Sequence, residues 1–327
     1  MSTAPLPNRS GRQVLAQALR PVPRHWRAGW ERALQRADWL NSPAPDVAIE
    51  ISATAVLALG GGRQRARAAS RRELPTGVLE PSAVAPNARD PERLVAALQQ
   101  VLTGVGGVGR EVVLLVPDAT ARVSLLDFEQ LPADPDELRQ LVRFRMRKIL
   151  PFDVEHAALD CQVVTGTEVS QVLVTVADRA RLDEYENALE AAGARAAVVL
   201  PAGLGALEGT LPGHLLLKGD ARTLTAAFAP EGRLVFYRVV EGAHGALCYA
   251  DLHPSLVLFR DWWETMRGTS ATARVTVSGL EPELMFEAGA ENPWAEVAWA
   301  APDATATGTP AETSRFLAVA GALGARA

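Results

Sequence analysis

Lysine is almost missing from this chain: Lys148 and Lys218 are the only two, and nearly all positive charge is arginine. With alanine so frequent, that bias fits the codon usage of a GC-rich bacterial genome and says little about mechanism. Cysteine is as scarce. Cys161 and Cys248 stand apart, without CxxC or Cys/His spacing, which excludes a structural zinc site or a disulfide framework and makes the cytoplasm the expected compartment. No apolar run reaches the roughly 18 to 20 residues that span a bilayer. The longest stretch, Ala196 to Leu207, is interrupted by Pro201 and two glycines. No apolar segment follows the N-terminal charges, so a signal peptide is not expected. A basic excess is also lacking. The net charge is -5 and the pI about 5.7, which argues against a general nucleic-acid binder.

The familiar catalytic motifs are missing too. His25, His156, His214, His244 and His253 show no HExxH or i,i+4 pairing, so no metal site is expected. No GxSxG elbow appears. "GVGGVG", Gly104 to Gly109, matches GxGxxG in letters only. A helix precedes it and a strand follows, the reverse of the order that aims a helix N-terminus at a pyrophosphate. It reads as a connecting turn, and "GGG" at Gly60 to Gly62 as a hairpin turn.

What is present suggests two lobes. A chain of 327 residues, 48% apolar, is long for one core. Residues 1–45 differ from the rest: Arg-rich, broken by Pro21 and Pro23, and closed by a Pro-punctuated linker. Over Arg24 to Leu40 a helix would place Trp26, Trp30, Leu34 and Ala37 on one face, which suits docking on this protein or a neighbour better than membrane contact. From Asp46 on, "VAIEISATAVLAL" alternates as a strand or hairpin start. Further strands are expected at Glu111 to Pro117, Ala121 to Phe128, Ala157 to Val164 and Val172 to Ala177, and helices at Pro91 to Leu102 and Arg179 to Ala192. The pattern then restarts. "GHLLLKGDARTLTAAFAPEGRLVFYRVV" reads as three short strands, and helices at Ser255 to Met266 and Ala311 to Leu323 bracket the strand "ARVTVSG". Two hairpin sheets, each closed by helices, predict a bilobal α/β protein of actin-like, ribonuclease-H-like duplication.

One helix is unusual. It starts at Pro135 and Asp136, puts Leu138, Leu141, Val142, Met146, Ile149 and Leu150 on an apolar side, and repeats arginine at 139, 143 and 147. Pro151 ends it and sends the chain out extended. The simplest expectation is a helix packed on its own sheet with a solvated basic side.

That segment, with Arg143 and Phe144, then Leu150 to Phe152, then "LDCQVV", resembles the helix-to-strand region of the PilM family, the cytoplasmic actin-like proteins of type IV pilus assembly. "VAIEISATAV" resembles the family's first phosphate-loop strand. "YENALEAAGARAAVVLPAGLGAL" resembles the helix, strand and helix that join its halves, and "FLAVAGALGARA" its closing helix. The resemblance covers about residues 45 to 327 and implies lobes at 46–205 and 206–327 behind the 1–45 extension. The related secretion protein GspL would continue into a transmembrane helix, which this sequence does not.

By that resemblance, Glu50, Ser52 and Thr54 hold the first-loop places for metal-bound water and close phosphate approach. The chain departs from the pattern in three loops. Leu57 replaces a basic residue. The second loop, "LKG" from Leu217 to Gly219, lacks its carboxylate unless Asp220 substitutes from a displaced position. The adenosine motif keeps Gly279 but has Leu280 next, and the insertion before it is short. The resemblance therefore implies a vestigial nucleotide site at Glu50, Ser52, Thr54, Gly219, Asp220 and Gly279, with no catalytic residue, metal or cofactor. A working ATPase using ATP and magnesium is the alternative, and an enzyme on a ribonuclease-H-like fold a third reading, for which no set of convergent carboxylates assembles. The implied partner is the cytoplasmic N-terminal segment of a PilN-like inner-membrane protein, in a groove near Arg143, Arg147, Lys148, Pro151 and Phe152. Pilus motor ATPases and further copies in a ring are additional expected partners. Nucleic acid is not.

Overall fold

The computed structural model describes residues 45–61, 68–164, 170–230, 234–242, 246–267, 272–302 and 308–324. The amphipathic helix expected over residues 24–40 lies outside them. Two five-stranded sheets share one topology. In the first, β1 (Val47–Ile51) and β2 (Ala55–Gly60) form a hairpin, β3 (Ala68–Glu73) continues it antiparallel, and β4 (Glu111–Val116) and β8 (Arg195–Pro201) join parallel, giving the order β3-β2-β1-β4-β8. In the second, β9 (Leu215–Asp220), β10 (Thr223–Phe228), β11 (Phe236–Glu241), β12 (Ala273–Ser278) and β13 (Ala295–Trp299) repeat it as β11-β10-β9-β12-β13, with the same parallel and antiparallel pairings. This repeated hairpin-plus-crossover sheet is the actin-like duplication expected from the sequence.

Helices repeat as well. α1 (Pro91–Val105) follows β3 as α5 (Tyr249–Arg267) follows β11. α3 (Arg179–Ala191) precedes β8 as α6 (Pro282–Glu291) precedes β13. α4 (Ala202–Gly209) follows β8 as α7 (Pro310–Ser314) and α8 (Leu317–Gly324) follow β13. Every residue of β1 and β2 is buried, as expected of strands covered on both faces. Alternation then decides which side each residue serves. Val47, Ile49 and Ile51 face α1 and α3, whereas Ala48 faces the layer that holds α4 and α8 between the two sheets. Glu50 shares the face of Ala48 by period two.

α4 and α8 pass so closely that glycine is required. A Cβ on Gly321 would lie 2.0 Å from the Gly205 carbonyl oxygen, and one on Gly205 would lie 2.8 Å from the Ala318 carbonyl oxygen. The sequence predicts one C-terminal helix where the protein makes two. Ser278 on β12 donates its hydroxyl to the Ser314 carbonyl at 2.8 Å, engaging an acceptor of the continuous helix where α7 ends. α5 begins six residues earlier than expected and carries Pro254 inside. The GVGGVG segment is a turn: Gly106, at φ 67°, closes α1 in the left-handed region ahead of β4.

A smaller unit is inserted between β4 and α3. β5 (Ala121–Phe128), β6 (Ala157–Val164) and β7 (Ser170–Asp178) form an antiparallel sheet in the order β5-β7-β6, and α2 (Pro135–Met146) packs Leu138, Val142 and Met146 against it. Of the expected row, Arg139 and Arg147 are exposed and Arg143 is half-buried, and the helix tethers several of its arginines. Arg143 donates to the Val154 carbonyl at 2.5 Å, Arg147 pairs with Glu155, and Arg145 lies 4.0 Å over the Phe128 ring while donating to the Asp127 carbonyl. The helix stops at Met146, which leaves Ile149 exposed rather than on the apolar side.

Gly321→Ala is expected to destabilise the fold by about 1–3 kcal/mol through overpacking, more than an alanine placed at the open Gly324. Denaturant unfolding of the two variants checks this; equal stabilities would mean that α4 and α8 are free to separate.

Candidate functional site

The lobes meet at the C-terminal ends of their first strands. Glu50 on β1 and Lys218 on β9 are 2% and 5% exposed, and the Lys218 Nζ lies 2.8 Å from Glu50 Oε1. Both charges come from otherwise apolar strands, VAIEI and LLLKGD. Burial works against the lysine's charge, but Glu50, then Asp220 and Asp118, offset it and hold the ammonium above its ordinary value. The pair is not fully satisfied, because Glu50 Oε2 is buried with no partner among the described residues.

Asp220 ties the same loops a second time. Its carboxylate accepts from the Ala53 backbone N–H at 3.0 and 3.3 Å. The β1–β2 turn is closed internally by Ser52, whose Oγ donates to the Ala55 carbonyl at 3.0 Å and accepts from its N–H at 3.1 Å. Burial pushes the Asp220 carboxyl up to about 6, Lys218 pulls it down, and Glu50 pushes it up again. Ala221, with φ 49°, bends the β9–β10 turn in the left-handed region, a strained conformation for a non-glycine residue.

A third tie is built on Asp118, in the 3-10 turn after β4. Both carboxylate oxygens accept from the Gly203 N–H at the start of α4, each at 3.0 Å. The Thr225 hydroxyl donates at 2.9 Å and the Tyr237 hydroxyl at 2.5 Å. Burial and the Asp118 charge push the Tyr237 phenol well up, so it stays a donor. β4, α4, β10 and β11 are thus joined through one carboxylate.

Gly219 and Gly279 close the seam beside these groups. A Cβ on Gly279 would lie 2.5 Å from the Gly219 carbonyl oxygen, and one on Gly219 2.9 Å from that of Gly279. Next to them a cleft of about 270 Å³ opens, lined by Thr54, Arg71, Gly279, Leu280, Glu281 and Arg315 among others. Its two guanidiniums are engaged, Arg71 with Glu73 at 2.6 Å and Arg315 with Glu281 at 3.3 Å, although Arg71 Nε is buried without a partner among the described residues. Tested against a magnesium-bound triphosphate, the donor set fits poorly. The Ala53 amide already donates to Asp220 and the Lys218 ammonium holds the Glu50 carboxylate, so neither group is free to meet a phosphate or a metal-bound water.

Glu50, Asp220, Gly219 and Gly279 therefore lie together at the seam, with Ser52 and Thr54 in the β1–β2 turn beside them. Arg143, Arg147, Lys148, Pro151 and Phe152 gather elsewhere, on the inserted unit. Arg143 and Arg147 anchor α2, Phe152 packs against the unit's core, and Lys148 and Pro151 are exposed. Exposed beside them are Phe144, at 61%, and Ile149, at 48%. Sequence reasoning missed Lys218, Asp118, Thr225 and Tyr237. Lys218 did carry a signal: in a chain with only two lysines, one sits inside an apolar strand, where it needs a buried partner.

No protein-family profile and no curated protein matches the chain. Solved structures do. A chain of the PilM-PilN type IV pilus biogenesis complex superposes with a TM-score of 0.65 at 17% identity, covering 87% of this chain and 99% of that one. The cytoplasmic domain of EpsL, an inner-membrane component of the type II secretion system of Vibrio cholerae, gives 0.49 at 14% identity, covering 83% and 93%. A Bacteroides thetaiotaomicron protein with an actin-like ATPase fold gives 0.45 at 12% identity, covering 77% and 90%. The chain shares the fold of that chain of the PilM-PilN complex.

Removing one member of the buried pair should be costly: Lys218→Met is expected to lose about 3–5 kcal/mol. The double variant Glu50→Leu with Lys218→Met should recover most of that, because no buried charge is then left alone. Additive losses in urea unfolding would contradict the pairing. Asp220 titrates with the opposite consequence. Its carboxyl is raised from 3.8 to about 6, so the folded state holds its proton more tightly, and the stability it adds is full below about 3.8 and lost as pH rises through about 6. Asp220→Asn keeps an acceptor for Ala53 and is expected to raise the melting temperature at about pH 8 but change it little at about pH 3.5, below the onset of the titration. A lower melting temperature at the higher pH would show that the charge itself is needed.

Proposed function

We propose that this protein is a non-hydrolysing, PilM-like scaffold in a type IV pilus or related secretion machine. In this reading it works on the cytoplasmic side of the inner membrane and holds the cytoplasmic N-terminal segment of a PilN-like membrane protein. The observation that carries the reading is the Lys218–Glu50 pair with Asp220 on the Ala53 amide. Groups of the chain itself fill the positions where a nucleotide's phosphates and metal would bind, and the two lobes are fastened as one body. The PilM-like fold, matched over 99% of a chain from a PilM-PilN complex, supports the choice of machine and partner. Pilus motor ATPases and further copies of the chain are its other partners on this reading.

The inserted unit offers the partner a place. β6 pairs only with β7 among the described residues, so its other edge is open to an extended segment, and Phe144, Lys148, Ile149 and Pro151 stand exposed where α2 ends and the chain turns toward β6. A peptide added to such an edge gains main-chain hydrogen bonds and fills apolar pockets. The rival reading, a nucleotide-switched ATPase, is favoured by one observation, the cleft of about 270 Å³ with Arg71 Nε unpartnered at its wall.

Two measurements separate these readings. Phe144→Ser with Lys148→Glu changes only exposed side chains, and is expected to weaken a PilN-type N-terminal peptide by about tenfold or more at unchanged melting temperature. Unchanged affinity would remove the inserted unit from the binding site. Mg-ATP at millimolar concentration is expected to leave the melting temperature of the wild type where it is. A rise of several degrees, the mass-action effect of a ligand that binds only the folded state, would favour the switch.

A further inference from the structure

The outer helices of the second sheet present a surface that matches a segment of the chain itself. α6 turns Glu283, Phe286, Glu287 and Glu291 outward, spaced as one helical face. α5, joined to the end of α6 by the Asn292 side chain donating to the Tyr249 hydroxyl at 3.0 Å, turns out Val257, Leu258 and Asp261. Phe286 is 67% exposed and Leu258 47%. Among the described residues Asp261, Glu283, Glu287 and Glu291 have no ion-pair partner, and the guanidinium of Arg260 is already held by Glu264 at 2.7 Å. Exposed apolar side chains and unpaired carboxylates on the same two helices call for a partner that is both apolar and basic.

Residues 1–44 have that chemistry. They hold seven arginines and two carboxylates in a chain of net charge -5, so they carry +5 against -10 for the remainder. Over 24–40 the pattern places Trp26, Trp30 and Leu34 on one helical face, with Arg24, Arg27, Arg32 and Arg36 around it. We propose that residues 24–40 cover the α5–α6 face as an amphipathic helix, with their tryptophans over Leu258 and Phe286 and their arginines against Asp261, Glu283, Glu287 and Glu291. An anionic lipid surface is the other occupant such a helix could find, but the -10 of the body opposes that approach, whereas the acidic face attracts the segment. The assignment is independent of the partner proposed for α2 and β6, because it uses a different face.

The test uses the full chain with Trp30 replaced by the photo-crosslinker p-benzoylphenylalanine, read by mass spectrometry in buffer and with vesicles of anionic phospholipid. The crosslinks are expected to fall on residues 253–266 and 282–291, within one copy or between two. They should decrease at least about fivefold when Phe286→Asp and Glu287→Lys are introduced, since both the apolar contact and an ion pair are lost. The melting temperature of that variant should stay within about 2 °C of the parent, because both side chains are exposed. Crosslinks to other faces, crosslinks formed only to lipid, or a yield unaffected by the two substitutions would overturn the proposal.

Discussion

The ammonium of Lys218 and the carboxylate of Glu50 lie where the first strands of both sheets end, and each is tolerable there only because of the other. Bringing two charges out of water costs several kcal/mol apiece, and their attraction offsets this only in good geometry. The pair therefore adds little net stability, and what it fixes is arrangement. β1 and β9 must meet with Glu50 facing Lys218, because sliding or opening the lobes would strand a charge. Asp220 on the Ala53 amide and Asp118 beneath Thr225, Tyr237 and Gly203 act in the same sense. Three carboxylates and one lysine thus tie the two lobes across one seam.

That seam is possible because of what packs beneath it. Ala48 on β1 and the glycines of α4 and α8 let two helices lie between the sheets at backbone contact distance, which draws the two strand ends close enough for a single ion pair to bridge them. Larger side chains at Gly205 or Gly321 would push the layers apart and lengthen the bridge. The exposed apolar features lie away from the seam, on α2 beside β6 and on α5 and α6.

Much of this architecture was legible in the sequence. The alternation in VAIEISATAVLAL and its restart near Leu215 gave the duplication, since a buried hairpin must repeat its apolar period in each half. Other features resisted reading for physical reasons. Arg143 and Arg147 share a helical face, but their long side chains reach the Val154 carbonyl and Glu155, contacts that sequence spacing does not contain. The break between α7 and α8 depends on a hydroxyl from β12, far away in sequence. Asp118 and Tyr237 are separated by more than a hundred residues and become partners only once both sheets are in place. The loop from Leu217 to Gly219 is the most instructive: the sequence shows it as a loop that lacks a carboxylate, whereas the structure makes it the source of the buried Lys218 charge.

Hydrogen exchange at the Ala53 amide, with and without Mg-ATP, tests the central claim most directly. If Asp220 holds that amide and the seam is filled by the chain's own charges, the amide exchanges slowly in the free protein and its rate is unchanged by nucleotide. A fast-exchanging amide that becomes protected when Mg-ATP is added would contradict the account, because the loop would then be waiting for a phosphate.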